Sequence, residues 1–151
     1  MKNTIKIIIK DLLLLLLFSS AVGYGWYLAV YKASFLPNGY EIVSQEKDQL
    51  TLKSFNIFGM EEETETLSFS ERNEWVVLIL ENDIERLKGF LWLLFFGVTV
   101  MTGISIYRVR QGIALWKLLL IGIPGSIPIP LINIISSMHN IQRLMNFSQP
   151  L

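Results

Sequence analysis

Four carboxylates crowd one short stretch of this sequence: Glu61, Glu62, Glu63 and Glu65, just after Gly59-Met60. Clustered carboxylates attract hard divalent cations or the basic side chains of a peptide. The spacing is not that of a calcium-binding loop. On an extended strand Glu63 and Glu65 share one face and Glu62 takes the opposite one. The stretch is therefore a candidate partner-binding site. Set against this is a plainer role, in which charges on an exposed strand edge discourage pairing with other chains.

The remaining chemistry is sparse. There is one histidine, His139, close to Ser136 and Ser137. An imidazole can move protons or bind metal, but no carboxylate or second histidine lies near it in sequence. Hydrolysis needs a nucleophile, a base and an orienting group in mutual contact, and no such set is legible. The chain has no cysteine, which excludes disulfides, thiol catalysis and thiolate metal centres. We expect a non-catalytic protein with no cofactor and no metal.

The elements that hold these residues are mostly apolar. Of 151 residues 52% are hydrophobic and 17% charged, and mean hydropathy is +0.45. Soluble domains carry roughly 25% charged residues. The basic and acidic residues number 13 each, so the chain lacks the basic excess of a nucleic-acid-binding protein. Its apolar residues come in long blocks, which predicts an integral membrane protein.

Three uncharged runs are spaced along the chain. Leu12 to Val30 follows Lys2, Lys6 and Lys10 and has Trp26, Tyr27 and Tyr31 near its far end, where aromatic belts occur. A cleaved signal peptide with a small-residue site at Ala21-Val22-Gly23 is the competing reading, but the apolar stretch continues past that site. Gly89 to Tyr107 is the second run. Leu118 to Gln142 is the third, and it holds Pro124, Pro128 and Pro130 with Gly122 and Gly125. Proline deletes a helix donor and crowds the preceding turn, which predicts a kinked or re-entrant third segment. Broken helices can mark transport sites, but no charged residue lies inside any of the three runs. A kink without transport is the better reading.

Basic residues set the expected threading. Lys2, Lys6 and Lys10 on one side and Arg108, Arg110 and Lys117 on the other link place both segments in the cytoplasm. The predicted organisation is a cytoplasmic tail at 1–11, a first span at 12–30, an extracytoplasmic acidic module and stalk at 32–88 and a second span at 89–107. A cytoplasmic basic loop at 108–117, a proline-kinked third span at 118–136 and an amphipathic tail at 137–151 complete it.

Residues 38–81 change period. Asn38-Gly39 is a turn signal. Tyr40 to Ser44, Gln49 to Phe58 and Glu63 to Ser70 read as strands, with a phase slip after Leu52 that marks a bulge. Trp75 to Leu80, rich in β-formers, reads as a central strand of a three- to four-stranded antiparallel meander, followed by a helix capped at Asn82 or Asp83 that leads into the second span. The fold class is an α-helical membrane protein with three spans and a small antiparallel β-rich module between the first two.

Ala21, Gly25 and Ala29 recur every four residues in the first span, with Ser19 and Gly23 beside them. Such spacing lets helix backbones approach closely, either between two copies or between spans of one chain. By elimination, the expected function is binding of a protein or peptide partner at the membrane, in an accessory, immunity or exclusion role. An oligomeric pore former or small transporter, and a membrane enzyme, are the alternatives.

Overall fold

A computed structural model describes residues 2–46, 49–68, 74–112 and 127–148. Helix α1 runs Lys2–Tyr27 and closes with a π-helical turn at Leu28–Lys32. Strands β1 (Tyr40–Glu46), β2 (Gln49–Phe55) and β3 (Glu61–Ser68) follow. Helix α2 spans Glu74–Arg110 and helix α3 spans Pro128–Ser148. Among the described residues two helices contain stretches long and apolar enough to cross a membrane, Ile9–Lys32 and Trp75–Arg110, and only 6% of each apolar window is buried within the chain.

The sheet is antiparallel in the order β1-β2-β3. Leu50 pairs with Leu67, and Leu52 with Glu65. Leu50, Leu52 and Leu67 form the buried face. The phase slip after Leu52 is a register shift between Ser54 and Phe55, which face Glu63 and Glu61 and leave Glu62 as the extra residue. Phe55, at the end of β2, is also buried. The strand ends at Phe55, so Ile57 and Phe58 belong to the turn rather than to β2.

The strand expected at Trp75 to Leu80 is not formed. Trp75 to Leu80 is the start of α2, and Asn82 and Asp83 lie inside that helix rather than capping it. Val76, Leu80, Ile84, Leu87 and Leu91 are all buried, at steps of three and four residues that define one helix face. That stripe packs against the sheet and α3, and it overrides the local preference of Val76, Val77 and Ile79 for extended structure.

At 37 residues, α2 is about 56 Å long, nearly twice the ~30 Å apolar core of a bilayer. Its first half carries Glu81, Asp83, Glu85, Arg86 and Lys88 and backs the sheet with its buried stripe. Its second half, Gly89 onward, is uncharged to Tyr107 and pairs with α1. The two helices run antiparallel: the Tyr107 hydroxyl donates to Asp11 Oδ2 at 3.3 Å, and the Trp26 indole donates to Thr99 Oγ1 at 2.9 Å.

Helix α3 lies antiparallel to the first half of α2. Arg86 Nη2 donates to Asn133 Oδ1 at 3.2 Å, while Asn140, Arg143 and Leu144 sit beside Trp75, Ile79 and Asp83. Ile134 and Ile141 are buried in this seam. Pro128 and Pro130 stand in the first turn of α3, where no intrahelical donor is needed; the Leu131 N–H reaches the Ile127 carbonyl at 3.2 Å. Pro124, and much of the predicted third span at 118–136, lie outside the described residues.

Candidate functional site

The acidic cluster sits on β3, an edge strand, and opposite it lies α3. Between them is an open cavity of about 310 Å³ lined by Glu62, Glu63, Glu65, Tyr40, Met138 and Gln142 among others. Glu63 and Glu65 share the inner sheet face, as strand alternation requires. Glu62 was expected on the opposite face, but the bulge between Ser54 and Phe55 breaks the alternation and brings it to the same cavity. Glu65 is half-buried beside Leu67, whereas Glu62 and Glu63 are exposed.

Glu61 is separate. Its Oε1 lies 2.7 Å from Lys53 Nζ on the neighbouring strand, and it does not line the cavity. The cavity wall thus has three carboxylates and no lysine or arginine. Among the described residues no three histidine, aspartate or glutamate side chains converge closely enough to hold a metal ion. Spread carboxylates along an open groove suit several amines in a row better than one compact cation.

Tyr40, Asn38 and Gln142 complete the polar wall. They could not be linked to the acidic stretch by sequence alone, since Gln142 comes from α3 and Tyr40 from β1. The sequence signal that bears on α3 is the helical spacing of Ile134, Met138, Ile141 and Met145, which gives the amphipathic tail one apolar side without saying what covers it. No family model, no curated protein and no solved structure matches this chain.

The helix-packing residues fall on two faces. Gly23, not Gly25, meets α2: a Cβ there would lie 3.4 Å from the Phe96 ring, and the Gly23 carbonyl accepts from the Trp92 indole at 2.9 Å. Nothing lies within 4 Å of the corresponding position on Gly25. Ala21 is exposed and Ala29 half-buried. The Ala21-Gly25-Ala29 stripe is therefore turned away from α2 along most of its length.

His139 is exposed on α3, and Ser136 is exposed nearby. Ser137 is 2% exposed in the α2–α3 seam, on another side of the helix from His139. Among the described residues no hydrogen bond joins either serine to the imidazole.

Proposed function

We propose that this chain is a small multi-pass membrane protein that binds a basic segment of a protein or peptide partner in the groove between β3 and α3, without catalysis. The observation that carries this reading is the convergence of Glu62, Glu63 and Glu65 on one open wall facing Gln142 and Met138. Carboxylates supply the charge that draws lysine and arginine. The methionines supply an adaptable apolar floor for their stems. Among the described strands β3 is an edge, and its outer side offers main-chain groups to an extended peptide.

The uncharged parts of α1 and α2 cross the bilayer, with the N-terminus in the cytoplasm and the sheet outside. Lys10 before the first run and Arg108 and Arg110 after the second support this orientation. In this reading α3, docked along the first half of α2, lies on the same side of the bilayer as the sheet. An accessory, immunity or exclusion role fits a receptor of this kind.

The test uses full-length protein in lipid nanodiscs and a fluorescent nonalysine peptide as probe, with nonaglutamate as its control. Binding of nonalysine that weakens with salt and is lost in Glu62→Gln/Glu63→Gln/Glu65→Gln supports the reading. Equal binding by wild type and the triple variant would sink it.

A further inference from the structure

The β2–β3 turn carries an apolar tip that the described residues leave open: Ile57 is 63% exposed, Phe58 67% and Met60 59%. Hairpin turns facing water are usually polar, and three large exposed apolar side chains in four residues call for a partner. We propose that this turn is a wedge seated in the interfacial layer of the bilayer, between headgroups and acyl chains, beside the outer ends of the two spans. The proposal rests on the reading of α1 and α2 as membrane-spanning.

Three observations identify lipid as the occupant. The first is the level of the turn. A Cβ on Gly59 would lie 2.8 Å from the Phe35 ring. Phe35 in turn packs on Phe95 at a centroid distance of 5.8 Å and on Trp26 at 6.5 Å. Trp26 and Phe95 both lie inside the uncharged runs. Phe95 is about 10 Å along the helix from Lys88, the last charge before the second run. The tip therefore abuts an aromatic cluster at the rim of the apolar slab, where interfacial aromatics gather.

The second observation is main-chain pairing within the turn. Irregular backbone enters the interfacial layer at lower cost as more of its polar groups are paired. Here Asn56 Oδ1 accepts from the Phe58 N–H at 2.9 Å and the Met60 N–H at 3.1 Å. The Asn56 carbonyl accepts from Gly59 at 2.9 Å and Asn38 at 3.0 Å, and the Asn56 N–H donates to the Met60 carbonyl at 2.9 Å. One asparagine thus pairs the N–H groups of Phe58, Gly59 and Met60 and the carbonyl of Met60 from within. Gly59, at φ +73°, supplies the left-handed position that this pairing needs.

The third is the boundary of the apolar tip. Residues 56–60 hold no charge, and the next residue, Glu61, pairs with Lys53. This ion pair forms a charged collar above the tip, at the height where headgroups and water begin. The wedge would hold the sheet upright on the membrane and set the tilt of the β3–α3 groove relative to the surface.

The absence of native cysteine permits a direct test. Full-length Phe58→Cys, Leu17→Cys and Gln45→Cys are spin-labelled singly in phosphatidylcholine–phosphatidylglycerol vesicles. Label accessibility to oxygen and to a water-soluble nickel chelate is read by power saturation. The expected result is an oxygen-to-nickel ratio at Phe58 shifted from the aqueous value at Gln45 toward the lipid value at Leu17. Ile57→Cys repeats the measurement where Phe58→Cys does not fold. An aqueous ratio at both tip positions with a lipid ratio at Leu17 overturns the wedge and leaves the membrane reading intact. Shielding from both reagents at the tip also overturns it, since protein then covers the turn. An aqueous ratio at Leu17 overturns the membrane reading itself.

Discussion

The indole N–H of Trp92 donates to the main-chain oxygen of Gly23 at 2.9 Å, crossing the seam between α1 and α2. The Trp92 ring stacks on Phe96 at 5.5 Å with only 8° between planes, and both rings lie over the bare backbone of Gly23. This contact requires a residue without a branched side chain. Gly23→Leu should overpack the seam and cost about 1–3 kcal/mol. Gly25→Leu, whose position opens outward, should leave monomer stability nearly unchanged. Thermal unfolding of both variants in detergent checks this, and equal losses would contradict the assigned seam. Cross-linking of Gly25→Leu in vesicles separately reads whether the outward stripe joins two copies.

The seam shows what local sequence can and cannot carry. The two apolar runs are legible because a bilayer's thickness demands about 20 uncharged residues in a row, a purely local constraint. Leu50 and Leu52 reveal β2 for the same reason, since alternation is local. The choice between Gly23 and Gly25 is not local, because it is made by Trp92 and Phe96 on another helix. Trp75 to Leu80 misleads because six β-forming residues are a short window. The stripe Val76, Leu80, Ile84, Leu87 and Leu91 emerges only when the pattern is followed through Glu81, Asn82 and Asp83. The cavity beside Glu62 needs both a bulge and α3, and neither the bulge's effect on Glu62 nor the docking of α3 follows from the acidic residues alone.

The helical start of α2 makes a sharp mutational prediction. In a strand Leu78 and Leu80 would share a face and respond alike. In the helix Leu80 is fully buried and Leu78 is 65% exposed. Leu80→Ala should cost about 2–5 kcal/mol, and Leu78→Ala about 0.5 kcal/mol or less. Denaturation of the two variants under identical conditions checks the difference.

Pro128 and Pro130 occupy the first turn of α3, where no intrahelical donor is lost. Pro128→Ala and Pro130→Ala should each change stability by about 1 kcal/mol or less, through the unfolded chain alone. A larger gain on removing either proline would indicate a strained kink in place of a helix start. Circular dichroism and thermal unfolding together give the answer.

Because α3 lies along the sheet-side half of α2, Glu62 and Asn146 should face the same aqueous compartment. Single cysteines at the two positions should react together with a membrane-impermeant maleimide on intact cells, or react together only after lysis. Joint labelling before lysis also places the acidic groove outside. Labelling of one without the other would separate α3 from the sheet and dismantle the groove proposed for partner binding.

Asp83 is 6% exposed and faces α3 from the half of α2 outside the 89–107 run. Burial pushes its carboxyl above the usual aspartate range, and the nearby Arg86 guanidinium only partly offsets this. A raised folded pKa means that the folded chain holds the proton more tightly than the unfolded one. The associated stability is therefore fully present below the unfolded pKa and declines as pH rises through the folded value. Asp83→Asn keeps a neutral side chain of the same shape, so it should raise the melting temperature at neutral pH and flatten this part of the pH dependence. Melting curves of wild type and variant from acid to neutral pH should converge at the acidic end and separate as the carboxylate ionises. A variant less stable than wild type at neutral pH would mean that the ionised form is stabilised in the α2–α3 seam, and that Arg86 outweighs burial there.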